Sequence, residues 1–352
     1  MKKLISLALA LMLVFSLATV AMAATQNTDG SYVDESTITI TKTYDATNTD
    51  STSPEETFSF STPICTSVAN AGVDPTTGDV VTTSTAPVPT IGSVTYAAGD
   101  AGKTTAMTKT ITITLPSYSA VGIYTYTFTE NEGTTAGVTY FGDTITLVVT
   151  VIQDGEGRTR IAAVHTEANP VANGQNKSDE FVNTYSAGKL DITKEVTGDF
   201  GDRQKDFTVT VTFTAPQGRN VNEAISYSDD GENKTIAGGW TGSKQVTIDL
   251  KHEETVTFKN IPYGVTYTVD EDSYAADGYD AAAYSVNNGT SVASVINEEL
   301  NDASETVKIT NNKGGTIDTG ITLDSLPFVL ILAVCAGAVV LFVVKRRRSV
   351  DF

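Results

Sequence analysis

Short runs in which polar and apolar residues alternate make up most of this chain. Examples are STITITKTY, KTITITLP, YTYTFTE, DTITLVVTVIQ, DFTVTVTF and KQVTIDL, all rich in Thr, Val, Ile, Tyr and Phe. Strict alternation is the period of a β-strand that buries one face. Turn-forming stretches such as PTTGD, TENEG and SDDGEN separate the runs. The sequence therefore predicts an all-β fold of sandwiched sheets.

A short break at residues 186–188 divides the alternating region into two parts. About 160 residues precede the break and about 125 follow it, and each length suits one sandwich domain. Each part opens with a strand ending in Thr-Lys (STITITK, GKLDITK), has a late strand ending in Glu (YTYTFTE, VTYTVDE) and closes with a strand ending in Asn (EFVN, TVKITN). We therefore predict two domains with the same internal plan, over residues 24–186 and 187–314.

The two ends of the chain predict export and a membrane stop. Residues 1–23 have a basic start, an apolar stretch and a final Ala-Met-Ala, which are typical of a cleaved signal peptide. No residue from Leu326 to Val344 is charged, and four basic residues follow. Such a run can cross a bilayer as a helix with its basic end in the cytoplasm. We expect residues 315–352 to form a C-terminal signal, and the two domains to lie outside the cell.

The predicted external part is strongly acidic and lacks a disulfide. The chain has 23 Lys+Arg and 42 Asp+Glu. Removing residues 1–23 and 320–352 takes away six basic and two acidic residues, which leaves a net charge of −23. Nucleic acid and anionic lipid are poor partners for such a surface. Cys335 lies in the apolar span, so Cys65 has no partner. For stability, the domains therefore need another kind of cross-link or a well-packed apolar core. Nothing in the sequence indicates a metal site or a cofactor.

Six polar residues fall on strand faces that the alternation assigns to the core, because residues two apart along a strand share a face. They are Lys42, Glu130 and Asn183 in the first domain, and Lys194, Glu271 and Asn311 in the second. At strand ends, a Lys could instead extend to solvent and a Glu or Asn could cap a turn. The same three residue types recur in the same order in both domains, which favours burial.

Burying a lysine, a carboxyl and a carboxamide together favours one reaction. An unpaired buried charge costs on the order of several kcal/mol, so such groups tend to neutralise. A neutral amine is a nucleophile and a carboxamide is an electrophile, while a protonated acid can polarise the carbonyl and relay protons to leaving ammonia. The predicted product is a Lys–Asn amide that forms once in each domain, without enzymatic turnover.

With these residues, the chain resembles the backbone pilins of Gram-positive bacteria, which consist of Ig-like domains with self-formed intramolecular isopeptide bonds. The resemblance implies two tandem Ig-like β-sandwiches in which a first-strand Lys bonds a last-strand Asn beside a catalytic acid. It implies the bonds Lys42–Asn183 and Lys194–Asn311, with Glu130 and Glu271 as the acids.

Four neighbouring residues compete for these roles. They are Glu132, Asp270 and Asp272 for the acid, and Asn312 for the second acceptor. Alternation puts Asp270, Asp272 and Asn312 on the opposite strand face. Glu132 shares the face of Glu130 but falls beyond the strand, in the turn.

The stretch TIDTG at residues 316–320, ahead of the apolar span and the basic tail, resembles the cell-wall sorting signal read by sortases. Of the usual Leu-Pro-x-Thr-Gly it keeps Thr319 and Gly320. We expect a sortase cysteine to attack the Thr319 carbonyl and to release Gly320 onward. The acceptor amine would come from a peptidoglycan precursor or from a lysine of another copy. Lys177 in NGQNKSDEF is the predicted polymerisation lysine, and Lys189, in the predicted linker, is the alternative.

The favoured function is a structural subunit of a covalently polymerised pilus on the cell surface. Its predicted partners are a sortase, further copies of the chain and peptidoglycan. The alternative is a singly wall-anchored adhesin or minor pilin that binds a host ligand. A surface enzyme has little support, because His165 and His252 lie in unrelated strand contexts and no phosphate loop or nucleophile elbow is present. Cys65 is expected to be a buried apolar residue, and Trp240 to pack in the second domain.

Overall fold

The strand pattern of a computed structural model agrees with the alternation of the sequence. The structure describes residues 25–26, 32–34, 36–48, 51–103, 107–168, 180–315 and 326–348. The predicted signal peptide, residues 1–23, lies outside the described residues. All described elements before residue 315 are strands apart from one short 3₁₀ helix, Ala275–Asp277. The all-β prediction is confirmed.

Thirteen strands precede residue 186 in the described part of the chain. They are β1 (Thr25–Gln26), β2 (Tyr32–Val33), β3 (Thr37–Ala46), β4 (Glu56–Phe58), β5 (Ile64–Ala69), β6 (Thr90–Ile91), β7 (Val94–Tyr96), β8 (Thr108–Thr114), β9 (Gly122–Phe128), β10 (Val138–Thr139), β11 (Ile145–Gln153), β12 (Thr159–Ala168) and β13 (Glu180–Tyr185). A five-stranded sheet with the order β10-β13-β3-β8-β6 and a four-stranded sheet with the order β12-β11-β9-β5 form the first sandwich. The strands β1-β2 and β4-β7 form separate pairs.

Ten strands follow residue 186. They are β14 (Ala187–Thr197), β15 (Phe207–Thr214), β16 (Ile225–Asp229), β17 (Glu232–Ile236), β18 (Ser243–Leu250), β19 (Thr255–Pro262), β20 (Thr266–Glu271), β21 (Ala283–Val286), β22 (Val295–Glu299) and β23 (Ser304–Asn312). A six-stranded sheet, β17-β16-β19-β14-β23-β21, and a four-stranded sheet, β18-β15-β20-β22, form the second sandwich.

The first and last long strands of each sandwich are parallel neighbours. In the first sandwich β3 pairs with β13, with Lys42 opposite Phe181 and Tyr44 opposite Asn183. In the second, β14 pairs with β23 in a register that sets Lys194 opposite Ile309 and Val196 opposite Asn311. The Lys and the Asn are therefore offset by two residues in both sandwiches, and both side chains point to the same face of the sheet.

Each sandwich has its own apolar core between its two sheets. Ile40, Tyr126 and Leu147 belong to the first core, and Leu190, Phe213 and Trp240 to the second. The burial of Trp240 agrees with its predicted packing in the second domain, and Cys65 is buried in the first core, also as predicted.

The two sandwiches are joined without a linker. Strand β13 ends at Tyr185 and β14 begins at Ala187, so Ser186 alone separates them. Lys189, predicted to lie in a linker, is instead within β14, and its Nζ is 2.8 Å from Asp191 Oδ2. The prediction of a linker was wrong because the small residues Ala187 and Gly188, which suggest a break in the sequence, form the start of β14.

Hydrogen bonds hold the sandwiches together at this junction. The Ala136 N–H donates to Asn220 O at 2.8 Å, and the Asn220 N–H donates to Thr134 O at 2.7 Å. Arg219 donates to the Gly133 carbonyl at 2.8 Å and also pairs with Glu132. The junction is therefore an interface with its own backbone pairing.

The C-terminal helix α1, Leu326–Arg348, coincides with the predicted membrane span. It is long and apolar enough to cross a bilayer, and its apolar side chains from Phe328 to Val344 are exposed.

Gly137 provides a test of the junction. Its φ is +77°, and a Cβ there would lie 2.5 Å from the Ser186 carbonyl oxygen. We expect Gly137→Ala to lower the free energy of unfolding by at least about 1–2 kcal/mol, since a left-handed conformation alone costs that much for a non-glycine residue. Calorimetry of the soluble two-domain part would measure the change.

Gly142→Ala is the matched control, since nothing lies within 4 Å of its added Cβ. Equal melting temperatures for the two variants would contradict the close approach at the junction.

Candidate cross-link sites

The first predicted triad is assembled from both sheets of the first sandwich. Lys42 on β3 and Asn183 on β13 lie in one sheet, and both side chains are 0% exposed. Glu130 follows strand β9 of the facing sheet and is also buried. It lies two residues beyond the end of β9, where it forms an isolated bridge with Phe60. The predicted strand that ends in Glu therefore stops earlier, at Phe128.

The three side chains form a closed set of hydrogen bonds. Lys42 Nζ lies 2.6 Å from Glu130 Oε2 and also donates to Asn183 Oδ1. Asn183 Nδ2 donates to Glu130 Oε1 at 2.5 Å. The carboxyl group thus contacts both the amine and the amide nitrogen, and is within reach for moving a proton from one to the other.

Aromatic residues pack around Lys42. Lys42 Nζ lies 4.7 Å from the centre of the Phe58 ring, and the Tyr96 hydroxyl donates to the Lys42 carbonyl oxygen at 2.5 Å. Tyr44 packs edge-on against both rings. Burial lowers the pKa of the Lys42 amine from its ordinary value, although the Glu130 carboxylate acts in the opposite direction. This favours the neutral, nucleophilic form of the amine.

The second triad has the same arrangement, except that its Lys–Glu contact is an ion pair without hydrogen-bond geometry. Lys194 on β14 and Asn311 on β23 are buried beside Glu271, the last residue of β20 in the facing sheet. Lys194 Nζ is 2.8 Å from Glu271 Oε2 and donates to Asn311 Oδ1, while Asn311 Nδ2 donates to Glu271 Oε1 at 2.6 Å. The Phe207 ring centre lies 4.2 Å from the amine. Burial lowers the pKa of Lys194 against the opposing effect of Glu271.

Two family models and a curated relative match this chain. Residues 38–186 match the family model of the Spy0128-like isopeptide containing domain, and residues 188–313 match a model of a domain of unknown function. A pilin of Streptococcus pyogenes serotype M1 is 26% identical over 343 residues, which cover 94% of this chain and 96% of that protein.

Solved structures give the same result. The crystal structure of the major pilin from Streptococcus pyogenes has a TM-score of 0.56 and 25% identity, and the match covers 80% of this chain and 100% of that one. The chain belongs to the Gram-positive backbone pilins. The major pilin T3.2 of the same species, at 19% identity and a TM-score of 0.53, shares the fold over 80% of this pilin. The predicted pair of tandem Ig-like sandwiches is confirmed.

The competing acids and acceptor of this pilin lie away from both triads. Asp270 and Asp272 are exposed on either side of Glu271. Glu132 is exposed and pairs with Arg219 at the domain junction. Asn312 is also exposed, and its amide donates to Asp280. The triads therefore form without these four residues.

Sequence reasoning missed three neighbours of the triads. Phe58 and Phe207, which pack on the two amines, occupy apolar strand positions that alternation marks only as core. The backbone N–H of Phe141 donates to Asn183 Oδ1 at 3.0 Å. Because a backbone donor does not depend on the type of side chain, the sequence does not identify the Phe141 N–H as part of the site.

The two histidines take no part in these sites. His165 pairs with Glu167, and His252 Nδ1 accepts from the Val196 N–H. No cluster of His, Cys, Asp and Glu in the described part of the pilin could hold a metal ion. Lys177, Thr319 and Gly320, the predicted sortase-related residues, lie outside the described residues.

The lowered pKa of Lys42 gives a pH test in a chain that cannot react. In Asn183→Ala, Lys42 stays a buried amine, and the unfolded state binds more protons than the folded state at alkaline pH. The free energy of unfolding should then rise as the pH climbs from the folded-state pKa of Lys42 towards about 10.4, the ordinary value. Urea unfolding at a series of pH values would measure the slope.

The double variant Asn183→Ala with Lys42→Met is the control, because it has the same missing amide and no amine. If the free energy of unfolding of Asn183→Ala rose with pH no more steeply than that of the double variant, the lowered pKa of Lys42 would be wrong.

Proposed function

We propose that this structural pilus subunit closes two internal Lys–Asn amide bonds, Lys42–Asn183 and Lys194–Asn311, with Glu130 and Glu271 as the catalytic acids. The observation that carries the proposal is the duplicated buried triad, in which one carboxyl bridges the amine and the amide nitrogen of its domain. In each reaction the new C–N bond replaces the Cγ–Nδ2 bond of Asn, and one ammonia leaves. Since each site reacts once, the subunit is not an enzyme.

The bonds would stabilise each domain by closing long loops. Lys42 and Asn183 are 141 residues apart, and Lys194 and Asn311 are 117 apart. In the chain-entropy model developed for disulfides, a cross-link over such a loop reduces the entropy of the unfolded state and so raises the free energy of unfolding by about 5 kcal/mol. The proposed domains, residues 24–186 and 187–314, contain one bond each and need no disulfide.

The subunit would be exported, processed and joined by a sortase. We assign residues 1–23 to a signal peptide, and residues 315–352 to a sorting signal, a membrane helix and a basic tail. The helix α1 would hold the precursor in the membrane until a sortase cysteine attacks the Thr319 carbonyl and releases the chain from Gly320 onward. The Lys177 amine of another subunit would then take the acyl group, and peptidoglycan would receive the last one.

Polymerisation through Lys177 separates the two cross-links mechanically. Tension that enters at residue 177 would pass along β13 into β14, cross from Lys194 to Asn311 and leave along β23 towards Thr319. The second bond would carry the load directly. The first bond would instead tie the remainder of the first domain to a strand that is already under tension.

The polymer itself can be tested in bacteria that express the chain with its sortase. We expect a ladder of species that resist sodium dodecyl sulfate, and its collapse to monomer in Lys177→Arg or Thr319→Ala. The first change removes the acceptor amine, and the second alters the residue at which the sortase would cleave. Lys189→Arg is the matched control and should keep the ladder. A single wall-linked band from the unaltered chain would instead support a singly anchored adhesin or minor pilin.

The division of load predicts different behaviour under force. Fibres of Glu271→Ala subunits should lengthen by on the order of 400 Å per unfolded domain, since an extended chain spans about 3.3–3.6 Å per residue and 117 residues separate Lys194 from Asn311. Fibres of Glu130→Ala subunits should not lengthen. Single-fibre force spectroscopy would distinguish them, and steps in the Glu130→Ala fibres would contradict attachment through Lys177.

A further inference from the structure

The carbonyl oxygen of Asn183 has a donor that the three-residue site does not explain. Besides Lys42 Nζ, it accepts a hydrogen bond from the backbone N–H of Phe141 at 3.0 Å. The same N–H lies 3.3 Å from Glu130 Oε1. This donor belongs to the main chain, and it contacts both the group that would be attacked and the group that would move the protons.

The local fold explains why this N–H points into the core. Strand β10 pairs with β13 only at Val138 and Thr139, and the ladder ends there. Two residues later, the Phe141 ring packs edge-on against Phe181, with 5.2 Å between the ring centres. Beyond the ladder, the Phe141 N–H is directed at the Asn183 side chain.

We propose that the Phe141 backbone amide is the oxyanion donor for amide formation in the first domain. The inference rests on the cross-linking function proposed above. As Lys42 Nζ attacks Asn183 Cγ, the carbonyl electron pair moves onto Oδ1, and the Phe141 N–H stabilises the resulting negative charge. Glu130 takes a proton from the amine and delivers it to Nδ2. The carbonyl then reforms, the Cγ–Nδ2 bond breaks, and ammonia leaves.

The distance and the surroundings suit that role. Donors about 2.7–3.1 Å from the developing oxyanion, fixed in advance and shielded from water, are the arrangement that stabilises acyl-transfer intermediates. Asn183 is fully buried, so water does not compete for the charge. A main-chain donor also stays in place when the amine changes its protonation.

The second domain lacks this donor among the residues that the structure describes. There, Asn311 Oδ1 accepts from Lys194 Nζ, and the Asn311 amide donates to Glu271. The second site therefore serves as an internal reference within the same chain, since a change at Phe141 should leave its reaction rate untouched.

The test removes the N–H alone from the full-length chain. In a cell-free translation, Phe141 is replaced by phenyllactic acid, which turns the backbone amide into an ester and keeps the side chain. After a short synthesis pulse, samples are denatured at intervals and digested, and mass spectrometry follows the two cross-linked peptides separately. We expect the first bond to form at least tenfold more slowly. Loss of one oxyanion donor slows acyl transfer by up to about 10²–10³-fold, which sets the upper end of the expected effect. The second bond should form at its normal rate.

An ester at Leu115 is the matched control. Its N–H donates to the Ser36 carbonyl at 2.7 Å, away from the triad, so that variant loses one backbone hydrogen bond of the same domain without touching the reaction. Unchanged kinetics of the first bond in the Phe141 ester would overturn the inference while the cross-linking function stands. Equal slowing by both esters would also overturn it, because the effect would then be structural.

A second measurement needs no substitution. In the unaltered protein, a scalar coupling across the hydrogen bond should join the Phe141 amide nitrogen to Asn183 Cγ in a nuclear magnetic resonance experiment. Its absence in a chain that has formed the first bond would count against the donor. A chain that never forms the first bond would overturn the proposed function together with this inference.

Discussion

Each half of this pilin buries a lysine that only a carboxyl and a carboxamide can satisfy. Leaving such an amine unpaired in a core costs on the order of several kcal/mol, and Lys42 and Lys194 are both fully buried. The rest of each sandwich supports this arrangement. The parallel first and last strands set Lys and Asn two residues out of register on one face, while the facing sheet supplies the Glu. An amide bond between Lys and Asn would remove the buried charge altogether.

The repeat of this arrangement links chemistry to mechanics. The last strand of the first domain continues almost directly into the first strand of the second, with Ser186 between them. Backbone pairing across the junction, such as that between Ala136 and Asn220, keeps the two sandwiches together. A subunit built in this way has no loose linker between its described domains at which a fibre could first extend.

The sequence predicts which residues face inward, but not which residues meet. Alternation identifies the face of Lys42 or Asn311 from a few neighbours, because the period of a strand is a local property. The parallel pairing of β3 with β13 joins segments more than 130 residues apart, and a local pattern cannot specify it. Glu130 falls beyond the end of its strand, Lys189 lies within a strand that small residues disguise as a linker, and the Phe141 N–H has no side-chain signature at all.

The intact mass of the soluble two-domain part tests the central claim most directly. The account predicts a mass lower than that of the sequence by two molecules of ammonia, with one loss abolished by Glu130→Ala and the other by Glu271→Ala. The matched variant Glu132→Ala should retain both losses. A mass equal to that of the unreacted sequence would contradict the account, since the buried triads would then be ion pairs and not sites of bond formation.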